Sequence, residues 1–134
     1  MNGKAVPSAA DHAEVRVLIA DDHGLFVEAL EAILSADGRI DVVGYAHDGQ
    51  EALELSMRLR PDVVLMDISM PVLDGIEATR LITELIPAPS VLMLTGSNSK
   101  YDVDRSREAG AAGYITKDRI AAELVEAIVE VAAR

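Results

Sequence analysis

The chain has 134 residues and a formal net charge of −11, with 23 acidic residues against 12 basic ones. Because the basic residues are scattered, this balance argues against direct binding of nucleic acid or of an anionic membrane surface. Half of the residues are hydrophobic and none is cysteine, which predicts one domain with an aliphatic core and excludes disulfides, thiolate metal sites and thiol catalysis.

The first unit of the chain is a short apolar strand followed by a helix. Residues 1–14 lack the apolar stretch of a signal peptide, and we expect a disordered lead-in there. The first strand is predicted at 15–20 and is closed by Asp21 and Asp22. The next segment predicts a helix that stops near Gly38. Its inward face is predicted to carry Leu25, Phe26, Ala29, Leu30, Ile33 and Leu34.

The middle of the chain repeats this pattern twice. A second strand is predicted at 40–45, after which Asp48 is suited to cap a helix that Pro61 ends. A third strand then runs to Asp67, and Asp74-Gly75 opens a third helix. The inward positions of these two helices are predicted to be Ala52, Leu53, Ser56 and Met57, and then Ala78, Leu81, Ile82 and Leu85.

Two more units complete the chain. A fourth strand at 91–94 is closed by Thr95, and the helix predicted at about 99–109 has few large apolar residues, so we expect it to be the most mobile of the five. A fifth strand precedes Lys117, and a last helix is predicted at about 119–133. Its inward face is predicted to carry Ala121, Leu124, Val125, Ile128 and Val131. All apolar runs fall far short of the roughly 20 residues that cross a bilayer, so we expect a cytoplasmic protein.

Five alternating strands and helices predict one α/β domain with a flavodoxin-like, doubly wound parallel sheet. Val63 to Met66 is wholly apolar, as expected of a strand buried on both faces. Right-handed crossovers leave few topologies, and the strand order 2-1-3-4-5 places strands 1 and 3 side by side. Since ligands bind beyond the carboxyl ends of such strands, Asp21, Asp22 and Asp67 are expected to face one another.

Such an acid cluster favours metal and phosphoryl chemistry. Three close carboxylates repel one another unless a cation lies between them, and an all-oxygen site without cysteine suits Mg²⁺ or Mn²⁺. Lys117 supplies a cation for a phosphoryl oxygen, and the Thr95 hydroxyl supplies a hydrogen-bond donor. A carboxylate is also a competent nucleophile, so the set supports an aspartyl phosphate.

Several motifs in this order resemble the receiver domain of two-component response regulators, over about 15–133. They are Leu18 to His23, Val64 to Gly75, Leu94-Thr95 and Ala109 to Asp118. The Asp-Asp-His opening and the Lys117-Asp118 ending are most similar to the NarL/FixJ (LuxR-type) subfamily, whose members usually carry a C-terminal helix-turn-helix. The resemblance implies a receiver domain over 15–134.

The resemblance also implies how the acids act. Asp67 would be the phosphoacceptor that forms 4-aspartylphosphate, with a sensor histidine kinase as the phosphodonor. Asp22, Asp67 and the backbone carbonyl of Ser69 would hold Mg²⁺ (or Mn²⁺), with Asp21 acting through water. His23 is expected to be only a polar residue near the start of the first helix.

The remaining site residues would sense the phosphoryl group. Thr95 and Lys117 would engage it, and Tyr114 would turn inward with Thr95, which switches the fourth helix and fifth strand that control an output. No helix-turn-helix lies within the chain, so we expect it not to bind nucleic acid or membrane directly. Transcriptional regulation would need such a domain in the full gene, and a homodimer is among the expected partners.

Other functions of an α/β domain with these acids make different demands on the sequence. A phosphatase with an aspartyl nucleophile would need a second aspartate at position 69, where this chain has Ser69. A flavodoxin-like cofactor site would need a phosphate-binding loop in place of Asp21-Asp22. We therefore expect no enzyme beyond self-catalysed phosphorylation and dephosphorylation. A stand-alone receiver or a phosphorylation-independent interaction module is the alternative.

Overall fold

The computed structural model describes residues 14–96 and 99–133, in which five strands alternate with five helices. The strands are β1 (Val15–Ala20), β2 (Ile40–Ala46), β3 (Val63–Asp67), β4 (Ser90–Thr95) and β5 (Gly113–Thr116). The helices are α1 (Gly24–Ser35), α2 (Gly49–Leu59), α3 (Gly75–Ile82), α4 (Lys100–Glu108) and α5 (Ile120–Ala132), and a 3₁₀ turn (Lys117–Arg119) joins β5 to α5. Except for Glu14, the predicted lead-in lies outside the described residues.

The five strands form one parallel sheet in the order β2-β1-β3-β4-β5, which confirms the predicted topology. The strand order reverses between β1 and β3, where Ala20 lies opposite Met66. The residues that follow these two positions, Asp21 and Asp67, therefore reach the same edge of the sheet. This edge is where doubly wound folds bind ligands.

Helices cover both faces of the sheet. Alternate residues of β3 divide between the two halves of the core, with Val63 and Leu65 on one side and Val64 and Met66 on the other. The first half is completed by α1 and α5, and the second by α2 and α3 with the end of α4. Every residue of β3 is buried, so the prediction of a strand covered on both faces is confirmed.

Two predicted helix starts are confirmed by capping hydrogen bonds. Asp48 Oδ1 accepts a hydrogen bond from the amide of Glu51 at 2.7 Å. Asp74 Oδ1 accepts one from the amide of Glu77 at 2.8 Å. Each carboxylate satisfies an amide that has no partner within its own helix, and its charge faces the positive end of the helix dipole.

Several inward positions were assigned wrongly from the helical spacing. Leu25 is 84% exposed, because it lies in the first turn of α1, before the residues that α1 buries against the sheet. Met57 is 52% exposed, because α2 buries a narrow stripe of smaller residues that ends at Ser56. Ala29 and Ala121 are also exposed. Leu85 does pack against the core as predicted, but from beyond the end of α3.

Helix α4 has the least apolar contact with the sheet, as its sequence indicates. Its one buried residue is Ser106, and Tyr101 is exposed. The expected mobility of this helix stays a prediction. Among residues 14–96 and 99–133, no helix is long and apolar enough to span a membrane.

Candidate functional site

Three carboxylates meet at the carboxyl edge of the sheet. Asp21 and Asp22 follow β1, and Asp67 is the last residue of β3. One ligand atom from each of these residues and from His23 can be chosen so that all four lie within 4.8 Å of one another. Asp21 and Asp67 are buried, whereas Asp22 is exposed. The clustering predicted from the strand ends is therefore present in the structure.

The Asp67 carboxyl group is buried among like charges. Burial, and next the negative charge of Asp21, raise the pKa of Asp67 above its ordinary value. Three groups oppose this rise in the pKa of Asp67, namely the Lys117 ammonium, the backbone amide of Ser69 and His23. The Ser69 amide donates a long hydrogen bond of 3.4 Å to Asp67 Oδ1. The negative charge of this carboxylate is only partly compensated.

Lys117 is the cation that the fold brings to the cluster. The residue begins the 3₁₀ turn after β5, and its Nζ lies 3.5 Å from Asp21 Oδ2 and 3.6 Å from Asp67 Oδ1. The lysine side chain is 25% exposed, whereas the two carboxylates are nearly inaccessible. Lys117 therefore lies between the two buried acids.

His23 also enters the cluster, although it was expected to be only a polar residue near the start of the first helix. Its Nδ1 lies 2.9 Å from Asp21 Oδ1, 3.3 Å from Asp22 Oδ1 and 3.4 Å from Asp67 Oδ2. The hydrogen bond to Asp21 is the main cause that raises the pKa of His23, followed by the charges of Asp21 and Asp22. Its side chain is more than half exposed, so the imidazole can turn away into solvent.

The donor set fits a hard divalent cation. Asp21 Oδ2 and Asp67 Oδ2 are buried, and neither has a hydrogen-bond partner among the described residues. Buried carboxylate oxygens are normally satisfied by a cation or by hydrogen-bond donors. Carboxylate oxygens are the ligands that Mg²⁺ and Mn²⁺ prefer, and the open side at Asp22 leaves room for water ligands.

The other predicted site residues lie around this centre. Thr95 is the buried last residue of β4 and lies opposite Thr116 of β5. Ser69 is exposed in the loop after β3, two residues beyond Asp67. Tyr114 lies apart from the acids on β5, where its side chain is turned outward and the residue is 41% exposed. It borders a cavity of about 280 Å³ between α4 and β5, beside the buried Ser106.

Comparison with known proteins decides the family. The family model for the response regulator receiver domain matches residues 17–129 of this chain. The chain belongs to this family. The receiver domain therefore has the fold and the two-component signalling class that its motifs indicated.

Curated relatives of this receiver domain include regulators with different outputs. It is 41% identical over 117 residues to the transcriptional regulatory protein LnrK of Bacillus subtilis (strain 168), which covers 87% of this chain and 53% of LnrK. It is 43% identical over 106 residues to protein-glutamate methylesterase/protein-glutamine glutaminase 1 of Pseudomonas aeruginosa, covering 78% of this chain and 28% of that protein. The chain thus spans about half the length of LnrK and less than a third of the methylesterase.

A solved structure of the same kind has the same fold. The signal receiver domain of the response regulator NarL from Mycobacterium tuberculosis superposes with a TM-score of 0.84 at 37% sequence identity. The match covers 90% of this chain and 97% of that domain. Together with LnrK, this neighbour supports the similarity to NarL/LuxR-type regulators.

Two residues at the receiver site were not singled out as site residues from the sequence. Phe26, assigned only to the core, lies under the Lys117 ammonium, whose Nζ is 4.3 Å from the ring centroid. Its position four residues after Asp22 was the available signal, since a residue one turn into α1 stays close to the sheet edge. Arg105 of α4 lines a cleft of about 450 Å³ with Asp22 and Ser69. Nothing in its local sequence indicated this.

Proposed function

We propose that this receiver domain accepts a phosphoryl group on Asp67 from the phosphohistidine of a sensor histidine kinase, with Mg²⁺ (or Mn²⁺) bound. We further propose that the domain spans 15–134 and acts in the cytoplasm. It is proposed to have no enzyme activity beyond its own phosphorylation and dephosphorylation. Membership of the receiver family supports the kinase as the partner.

The observation that carries the proposal is the state of the Asp67 carboxylate. It is buried, its Oδ2 lacks a hydrogen-bond partner among the described residues, and Lys117 Nζ lies 3.6 Å from its Oδ1. A carboxylate that is poorly compensated and close to an ammonium group is a suitable nucleophile for a phosphoryl group whose oxygens need neutralisation.

The chemistry of the transfer requires positioning more than acid–base catalysis. An oxygen of Asp67 attacks phosphorus, the P–N bond to the donor imidazole breaks, and that imidazole nitrogen keeps the electron pair. Lys117 compensates the charge on the phosphoryl oxygens, and Thr95 donates a hydrogen bond to one of them. In its ionised form the Asp67 carboxylate has no proton to lose, so this step requires no general base.

The proposed metal ligands are Asp22, Asp67 and the backbone carbonyl of Ser69, with Asp21 acting through water. When bound, Mg²⁺ would neutralise phosphoryl oxygens and offset the repulsion among the acids. The proximity of the three carboxylates and the two unsatisfied oxygens support this assignment.

The output is proposed to depend on Thr95 and Tyr114. Once Thr95 engages the phosphoryl group, Tyr114 turns from its exposed position toward the space between α4 and β5, which shifts a two-state equilibrium of this face. The 280 Å³ cavity beside Tyr114 and the sparse packing of α4 support such a change. The shifted face would control a partner, a homodimer or a DNA-binding domain elsewhere in the full protein.

A direct experiment tests the acceptor. The protein is incubated with acetyl phosphate and Mg²⁺, and its intact mass is measured in acid and after mild base. We expect the mass to rise by one phosphoryl group, with an adduct that is stable in acid and labile in base. EDTA should prevent the adduct.

Two variants make this result specific. Asp67→Asn should give no adduct, while Asp41→Asn, which removes an exposed carboxylate on the edge strand β2, should be phosphorylated normally. An equal adduct on Asp67→Asn would refute the acceptor assignment. No adduct on the unchanged protein would favour a phosphorylation-independent interaction module.

A further inference from the structure

The Lys117 ammonium lies over the face of an aromatic ring. Its Nζ is 4.3 Å from the centroid of Phe26, well inside the roughly 6 Å at which a cation is attracted to a ring face. Phe26 belongs to α1, is half-buried, and packs against the core between α1 and α5. The ring is thus fixed by the core on one side and contacts a charged side chain of the site on the other.

Directional hydrogen bonds to the acids do not account for the position of this ammonium. Its distances of 3.5 Å to Asp21 Oδ2 and 3.6 Å to Asp67 Oδ1 exceed the usual hydrogen-bond range of about 2.7–3.2 Å. An ammonium on a flexible four-carbon stem has many rotamers, and lysine loses much side-chain entropy when it is held in one place. A fixed aromatic face reduces the number of rotamers that the Lys117 side chain can adopt.

We infer that Phe26 is a positioning residue for phosphoryl acceptance, a role that rests on the proposed function. The ring holds the Lys117 ammonium between Asp21 and Asp67, where it can meet the incoming phosphoryl oxygens. Phe26 itself touches neither the acids nor the donor in this scheme. Loss of the ring should slow the reaction through Lys117 and leave the fold in place.

The first test compares two substitutions of similar size. Phe26→Leu keeps an apolar side chain without a ring, whereas Phe26→Tyr keeps the ring face. With acetyl phosphate and Mg²⁺, we expect Phe26→Leu to be phosphorylated roughly three- to tenfold more slowly and Phe26→Tyr to recover most of the rate. Ile33→Val, two turns further along α1 in the same half of the core, controls for loss of packing and should keep the wild-type rate.

A second test uses the fact that Phe26 is the single phenylalanine of the chain. Biosynthetic replacement of phenylalanine by its mono-, di- and trifluorinated forms therefore changes one ring and weakens its negative face step by step. We expect the phosphorylation rate to fall at each step while the urea midpoint of unfolding stays constant. A rate that is independent of fluorination, or equal rates for Phe26→Leu and Phe26→Tyr, would overturn the inference.

A third readout needs neither metal nor phosphoryl transfer. In the metal-free, 4-fluorophenylalanine-labelled protein, Lys117→Met should shift the single ¹⁹F resonance, and Lys100→Met on α4 should leave it unchanged. An unshifted resonance in Lys117→Met would show that the ring does not contact the ammonium. If the unchanged protein accepted no phosphoryl group but the shift were present, the proposed function would fail while the contact between Phe26 and Lys117 held.

Discussion

Gly75 packs so closely against the backbone of Asp67 that a β-carbon at position 75 would lie 2.0 Å from the Asp67 carbonyl oxygen. The Gly75 amide also donates a hydrogen bond to the Ile68 carbonyl at 2.9 Å. Helix α3 therefore begins directly against the end of β3. The position of the proposed acceptor is fixed by a glycine eight residues further along the chain.

Gly75→Ala should disturb both the fold and the site, because the clash is with backbone rather than with a flexible side chain. We expect the free energy of unfolding to fall by about 1–3 kcal/mol, as for other overpacked positions. Phosphorylation by acetyl phosphate should also slow. Gly24→Ala at the start of α1 is the control, since no atom lies within 4 Å of its β-carbon, and it should be neutral or slightly stabilising in urea unfolding.

Val72 is held in a strained backbone conformation beside the site. Its φ is 67°, and the Leu73 amide donates to the Pro71 carbonyl at 2.7 Å, which makes a tight γ-turn with a β-branched residue at its centre. Val72 is 83% exposed, so its packing contributes little stabilisation to offset the backbone strain. We expect Val72→Gly to stabilise the protein by about 1 kcal/mol in urea unfolding, as relief of strain exceeds the added chain entropy.

The matched control for Val72 is alanine. Val72→Ala removes the same exposed methyl groups but keeps a β-carbon at positive φ, so most of the strain should remain. Equal stabilisation by glycine and alanine would mean that the exposed side chain, rather than the backbone conformation, is unfavourable.

The sequence predicted the sheet and the acid cluster because both depend on short-range patterns. Each strand is a run of apolar residues, and the rules for parallel sheets then leave few ways to arrange five such runs. The acids at the ends of β1 and β3 followed from that order. The caps at Asp48 and Asp74 were also predictable, since capping involves residues only three apart.

Features that depend on exact packing were not predictable. Leu25 fits the apolar spacing of α1 but lies in its exposed first turn. The contact between Phe26 and Lys117 joins α1 to the end of β5, and sequence spacing does not specify such a distance. The strain at Val72 likewise arises from the path of a loop between two fixed ends, which local propensity did not indicate.

Arg39 joins the turn before β2 to α5. Its Nη2 lies 2.9 Å from Asp37 Oδ2 and 2.7 Å from Glu126 Oε2. The hydrogen bond from the Arg39 side chain, followed by one from its backbone amide, lowers the pKa of Asp37 to about 2. A lowered pKa in the folded state means that the pair stabilises the fold above the ordinary aspartate pKa of about 3.9. This contribution is lost as the pH falls toward 2.

Arg39→Met should therefore raise the pKa of Asp37 toward its ordinary value, as measured by NMR titration of the carboxyl carbon. The loss of stability between about pH 4 and pH 2 should become smaller than in the wild type. Glu126→Gln, which removes the other partner of Arg39, should leave the pKa of Asp37 low. Because these groups are exposed, high salt should reduce the difference between the variants.

The pKa of Asp67 is raised, whereas that of Asp37 is lowered, so its effect on stability with pH is the reverse. Burial and Asp21 favour its protonated form in the folded state, so in the metal-free protein stability should decrease as the pH rises above about 4 and through the raised pKa of Asp67. Asp67→Asn removes that penalty and should be more stable than wild type at pH 7 in EDTA, with the difference in stability disappearing in acid.

Saturating Mg²⁺ should make the wild type more stable than Asp67→Asn, because a ligand that binds only the folded state adds about 1.4 kcal/mol for each tenfold excess over its Kd. Urea unfolding at stepped pH measures both effects, with Asp41→Asn as the control for net charge. A wild-type protein that is equally stable with EDTA and Mg²⁺ would contradict the metal assignment.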